Sequence, residues 1–152
     1  DQDLEKIVVK NYVNMGIAVD TPEGLIVPNI KNVQEKSIVN IAEEISMLAS
    51  AAKTRKLKLP DLKGSSFTIS SLGAIGGKFF TPIINPPEVG ILGVSKTFSK
   101  VVVKNEGFES REFLPLSLSY DHRVINGVYA AQFITQLGAA LGDAVLMEAK
   151  FQ

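Results

Sequence analysis

Leu114-Pro115-Leu116-Ser117-Leu118-Ser119-Tyr120-Asp121-His122-Arg123-Val124-Ile125-Asn126-Gly127 joins two periodicities in fourteen residues. Apolar and polar residues alternate up to Ser119, as in a strand with one covered face. From Val128 on, Ala130, Phe133, Ile134, Leu137, Leu141, Ala144 and Val145 recur at three- and four-residue steps, the stripe of an amphipathic helix. Asn126-Gly127 sits just ahead of that helix, where an N-cap belongs. A strand that passes through a short turn into such a helix belongs to a sheet that the helix covers.

Working outward, the same alternation of element types recurs. Ile7-Val8-Val9 and Tyr12 to Val19 are dense in β-branched and apolar residues and read as strands. Thr21-Pro22-Glu23-Gly24 is a turn, and Leu25-Ile26-Val27-Pro28 returns from it as the second arm of a hairpin. Ser37 to Arg55 reads as a helix, with Ser37 as N-cap and Ile38, Ile41, Ile45, Leu48, Ala49 and Ala52 on one face. Its basic end, Lys53, Arg55 and Lys56, suits the C-terminal macrodipole, and Pro60 marks the stop.

Phe67-Thr68-Ile69-Ser70 is a short strand entering the glycine-rich loop Ser71-Leu72-Gly73-Ala74-Ile75-Gly76-Gly77. Thr81-Pro82-Ile83-Ile84-Asn85-Pro86-Pro87 is too rich in proline for a central strand or a helix interior. Val89 to Ser95 resumes as a strand. Val101-Val102-Val103 and Glu112 to Tyr120 are two more, joined through the hairpin signal Asn105-Glu106-Gly107. The expected class is therefore α/β, a mixed sheet covered by two amphipathic helices, with no internal repeat.

Composition narrows the chemistry. Hydrophobic residues are 45% and charged residues 21%, ordinary for a globular domain of 152 residues. Sixteen basic residues balance sixteen acidic ones, so no global field favours nucleic acid or an anionic membrane. No apolar run approaches the roughly 20 residues of a membrane helix, and the first six residues lack signal-peptide character. The chain reads as soluble and intracellular. With no cysteine, disulfides, zinc–thiolate sites and cysteine nucleophiles are excluded.

The single histidine, His122, is then the one side chain whose ordinary titration suits base chemistry near neutrality. It lies between a strand and a helix, where a loop on a rigid scaffold keeps a reactive group accessible. Read blandly, it is a surface or partly buried histidine with no job; the opposite charges of Asp121 and Arg123 beside it, and the tight close at Asn126-Gly127, favour the functional reading. Ser70 and Ser71 are either a strand-ending turn or hydroxyl donors aimed at developing negative charge. Spacing alone does not link Ser70 to His122, 52 positions later. The glycines at 73, 76 and 77 fit neither a P-loop nor a dinucleotide fingerprint.

Asp121-His122-Arg123-Val124-Ile125-Asn126-Gly127 resembles the signature of the acyltransferase components of 2-oxo acid dehydrogenase complexes. Gly16 to Pro28 looks like the hairpin of that family. Phe67 to Gly73, followed by Phe80 to Glu88, looks like its central run. The resemblance covers essentially the whole chain, with the segments in the family's order. It implies a chloramphenicol-acetyltransferase-like fold, the coenzyme A-dependent acyltransferase fold. Family catalytic domains are longer, so residues 1–152 are expected to be the C-terminal portion of one such domain. Its N-terminal part, the lipoyl domain and the peripheral-subunit-binding domain are then absent. Ser-Ser-Leu-Gly and the asparagine at 126 look like the bacterial pyruvate-type members, whereas those acting on 2-oxoglutarate or branched-chain acids usually carry aspartate there. Asn126 is read as an N-cap first and a site residue second. The more distant chloramphenicol enzymes show His-His-x-x-x-Asp-Gly; Asp121 and Asn126 depart from it, which disfavours a small antibiotic acceptor.

The resemblance implies transfer of an acetyl group between dihydrolipoamide and coenzyme A. His122 takes the thiol proton, since the thiolate is the nucleophile; Ser70 donates to the tetrahedral oxyanion. The resemblance does not say which residues grip the coenzyme A nucleotide; Lys96, in Gly93-Val94-Ser95-Lys96, reads first as a solvated surface lysine and second as a contact for its phosphates. Coenzyme A is a substrate, the lipoyl group arrives on a lipoyl domain, and no metal takes part. The implied assembly is a homotrimer whose site lies between subunits, His122 and Ser70 coming from different chains. Trimers build a hollow cubic or dodecahedral core that receives the pyruvate dehydrogenase and dihydrolipoamide dehydrogenase components, without nucleic acid or membrane. The location implied is the cytoplasm of a bacterium, or the mitochondrial matrix of a eukaryote. Rival readings are a non-catalytic core scaffold, or a succinyl or branched-chain specificity on the same fold.

Overall fold

The computed structural model describes residues 6–104 and 107–142. Its centre is a five-stranded mixed sheet in the order β4-β1-β5-β6-β9. The strands are β1 (Met15–Ile17), β4 (Asn29–Ile30), β5 (Phe67–Ser71), β6 (Gly90–Val94) and β9 (Leu116–Tyr120). β1, β5 and β6 run parallel, while β4 and β9 pair antiparallel at the two edges. The expected strand from Tyr12 to Val19 is not continuous: it divides at Ala18 into β1 and the start of β2 (Val19–Thr21), which then forms the expected hairpin with β3 (Gly24–Ile26) between β1 and β4. Gly24 takes φ 119° at its turn, a value open to glycine but strained for other residues.

Helix α1 (Ile38–Lys53) packs on β2 and β4. Ser37 caps it as expected, its hydroxyl accepting from the Asn40 N–H at 3.2 Å. The six residues assigned to its inner face are covered wholly or in part, as are Glu44 and Ala51 beside them, and Ala52 is buried. Pro60 does more than mark a stop: it lies in the first turn of a second, short helix, α2 (Leu59–Leu62), where its missing N–H costs nothing. Helix α3 (Gly127–Gly142) packs on β9. Ala130 is its buried residue, with Ile134 and Leu137 half-covered. Ala144 and Val145 of the expected stripe, and Asn105 and Glu106 of the expected turn, lie outside the described residues.

Two further expectations are corrected. Ile7, Val8 and Val9 form no strand and are 68, 77 and 82% exposed. β-Branched composition favours an extended chain only where a neighbouring strand is there to pair, and this triplet pairs with none of the described strands. The stretch from Glu112 to Tyr120 is not one strand. It divides at Leu114-Pro115 into the end of β8 (Gly107–Phe113) and the whole of β9. Proline lacks the N–H a ladder needs, so the chain changes sheets there. β8 pairs with β7 (Phe98–Lys104) in a separate two-stranded ribbon.

Register assigns each face of the sheet, because residues directly opposite one another point to the same side. One face carries Phe67, Gly90, Leu118 and Tyr120 beneath α3, with the Phe67 ring 5.8 Å from that of Phe133. The other carries Gly16, Thr68, Ser70, Gly93 and Ser117. Gly16 is required by that second face. A Cβ there would stand 2.5 Å from Thr68 Oγ1 and 2.9 Å from Ser65 Oγ, and Thr68 is 0% exposed. Gly16→Ala is therefore expected to destabilise the fold by about 1–3 kcal/mol, read as a lower denaturant midpoint at unchanged slope. An unchanged midpoint would show that the Thr68 side of the sheet yields freely.

Candidate functional site

His122 stands on the turn from β9 to α3, exposed, with its ring centroid 5.7 Å from that of Tyr120. Three local devices hold this turn. The Asp121 N–H donates to Val89 O at 2.9 Å, carrying the β6–β9 ladder one step beyond the paired strands. The Val124 and Ile125 N–H groups donate back to Asp121 O at 3.0 and 2.9 Å. Asn126 then opens the helix: its Oδ1 accepts from the Tyr129 N–H at 2.8 Å, the geometry of an N-cap.

Asp121 is fully engaged with Arg123. Its carboxylate accepts from the Arg123 backbone N–H at 3.0 Å and from the guanidinium at 2.6–3.1 Å. Those hydrogen bonds hold the Asp121 carboxyl down at about 2. The sign follows from linkage: a depressed carboxyl favours this turn above its unfolded value, and the preference is lost as pH falls through the folded one. The pair therefore persists at every pH near neutrality. Asp121 thus organises the turn through Arg123 instead of orienting the imidazole.

Beside His122, between α3 and the sheet, lies an apolar hollow of about 150 Å³ lined by Phe67, Leu118, Tyr120, Ile125, Tyr129 and Phe133, with Gly90 and Ala130. Tyr120 borders both this hollow and the imidazole. The sequence signal for Tyr120 is its place as the last residue of the strand that leads into the His122 turn. No motif or spacing in the sequence marks Tyr129.

Ser70 is half-buried on β5, opposite Gly93 of β6, which is opposite Ser117 of β9. Gly93 leaves room for the Phe80 ring, whose tip would stand 2.8 Å from a Cβ at that position. His122 follows Ser117 by five residues, beyond the far end of β9. At ~3.3 Å per residue and ~4.8 Å per strand, five residues along and two strands across put the two on the order of 19 Å apart. Ser70 also shares a face with Ser117, whereas Tyr120 faces α3. One chain therefore does not bring Ser70 to His122. Lys96 is exposed just beyond β6, at the Ser70 end of the sheet, with its backbone N–H 3.4 Å from Gly77 O. Among the described residues, no group of three or more His, Asp or Glu side chains is placed to hold a metal ion.

The model of the family described as 2-oxoacid dehydrogenases acyltransferase (catalytic domain) matches residues 1–148. A dihydrolipoyllysine-residue acetyltransferase component of the pyruvate dehydrogenase complex from Azotobacter vinelandii is 53% identical over 139 residues, 91% of this chain and 22% of that protein. Among solved structures, the dihydrolipoamide acetyltransferase of Azotobacter vinelandii superposes with a TM-score of 0.87 at 52% identity. It covers 91% of this chain and 57% of its own, and was studied for a serine, a histidine and an asparagine in its catalytic mechanism. The cubic core of a pyruvate dehydrogenase multienzyme complex matches with the same TM-score and coverage at 53% identity. The chain thus spans less than a quarter of the length of that curated relative and a little over half of each solved one.

Proposed function

The chain belongs to the acyltransferase catalytic-domain family of the 2-oxoacid dehydrogenases, and from that premise we propose that it moves an acetyl group between dihydrolipoamide and coenzyme A. The observation that carries the reading is a spacing. The serine, histidine and asparagine studied in the Azotobacter vinelandii enzyme are separated by 52 and 4 positions, as Ser70, His122 and Asn126 are here.

In this reading His122 accepts the proton of the attacking thiol: the S–H bond breaks, the proton goes to the imidazole, and the electron pair stays on sulfur to attack the thioester carbonyl. The exposed turn gives a thiol access, and the apolar hollow beside it limits competing water. Ser70 donates a hydrogen bond from its hydroxyl to the oxyanion of the tetrahedral adduct; the adduct collapses as its bond to the original thioester sulfur breaks, and the imidazolium returns its proton to that departing thiolate. Because Ser70 and His122 are on the order of 19 Å apart in one chain, the serine acting with a given histidine belongs to a neighbouring copy. A trimer, and a hollow core built of trimers, is the arrangement we infer. The lipoyl group reaches the site on a lipoyl domain, and the pyruvate dehydrogenase and dihydrolipoamide dehydrogenase components dock on the outside. Asn126 caps α3 and fixes where the His122 turn ends. Lys96, at the Ser70 end, is assigned to the coenzyme A phosphates.

Side-by-side transfer from acetyl-, succinyl- and isobutyryl-coenzyme A to dihydrolipoamide tests the specificity. Acetyl is expected to lead in kcat/KM by about ten-fold or more, the scale on which an apolar pocket rejects added carbons. A succinyl or isobutyryl preference would replace the acetyl reading by another member of the same family.

A further inference from the structure

The proline-rich run before β6 holds a polar pair that the transfer chemistry does not use. Glu88 is 7% exposed. Its Oε1 accepts from Asn85 Nδ2 at 3.2 Å, and its backbone N–H donates to Asn85 O at 3.0 Å, so the two residues close a turn on themselves. Its Oε2 is buried without a hydrogen-bond partner among the described residues. A buried carboxylate with one oxygen unmatched lowers stability, so packing alone gives no reason for a glutamate at this position.

Its place in the fold does. The next residue, Val89, supplies the carbonyl that receives the Asp121 N–H at 2.9 Å. That is the last rung of the β6–β9 ladder, and Glu88 and His122 each stand one residue beyond it on adjacent strands. The Asn85–Glu88 turn thus fixes where β6 begins, Val89 passes that position to Asp121, and the Asp121–Arg123 pair passes it to the His122 turn.

We propose that Glu88, clamped by Asn85, is a positioning residue for His122. It acts through the Val89–Asp121 hydrogen bond and touches neither substrate. The proposal rests on His122 being the base. Its effect belongs in kcat, because displacement of a reacting group by ~1 Å costs up to about 10²-fold in rate while substrate binding elsewhere is untouched.

The test compares Glu88→Met, Glu88→Gln and His122→Ala in the assembled full chain, measuring kcat, KM and Tm. Glu88→Met removes the unmatched carboxylate in favour of an apolar side chain of similar length. It is expected to leave Tm equal or higher while kcat falls roughly ten- to a hundred-fold at little-changed KM. Glu88→Gln keeps an oxygen that accepts from Asn85 and recovers most of kcat. A Met variant that loses Tm and kcat together reduces Glu88 to a packing residue, and a Met variant with unchanged kcat removes the clamp. If His122→Ala itself retains turnover, the base assignment fails and the clamp with it. If His122→Ala is inactive and the Glu88 variants are normal, the clamp alone fails.

Discussion

Replacing His122 by alanine lowers acetyl transfer to dihydrolipoamide by roughly 10²–10⁴-fold, the usual worth of a positioned base. The sized assembly stays intact. The structural half of that expectation comes from exposure. The imidazole projects from the β9–α3 turn, whose own hydrogen bonds run through Asp121, Arg123 and Asn126 backbone or side-chain atoms. The ring contributes none of them, so alanine leaves the turn closed. The chemical half comes from scarcity, since the chain holds no second histidine and no cysteine to take over. Transfer rates and light scattering on the same sample separate the two. Near-normal turnover in a correctly sized particle would refute the base assignment.

Ser70→Ala is expected to lower kcat by about 10²–10³-fold, the loss seen when one oxyanion donor is removed, with KM changed far less. An effect confined to KM recasts Ser70 as a binding residue. A stronger form of the experiment mixes the two variants. Each is nearly inactive alone, but subunits exchanged between Ser70→Ala and His122→Ala particles pair an intact histidine with an intact serine at some contacts. With random exchange in a cyclic assembly about a quarter of contacts are whole, and activity should return to that level. No recovery after demonstrated exchange would place both groups in one chain's site, against the register of β5, β6 and β9.

Much of the fold was readable from spacing alone. Both long helices announce themselves because their apolar residues keep a 3.6-residue period, and Ser37 and Asn126 are the short polar side chains that close a first turn. Strands are less legible, since their composition states a preference that only a partner strand satisfies. Ile7-Val8-Val9 has the composition and no described partner. Glu112 to Tyr120 has continuous strand character, and only the absent N–H of Pro115 tells that its two halves serve different sheets. The site divides the same way. His122 is visible from its position at a strand–helix turn, whereas no local rule connects Ser70 to it, because within one chain the two are separated across three strands and along the length of β9. Glu88 passed unmarked at the end of a proline run, since its role depends on a rung of the sheet that sequence does not reveal.

The stagger between the Ser70 row and the His122 turn also sets how output scales with concentration. Under the proposed site shared between copies, such a polypeptide has no half-strength solitary form: each seam between neighbours is either complete or silent. Dilution below the dissociation constant of the assembly would then switch turnover off seam by seam, without unfolding any chain.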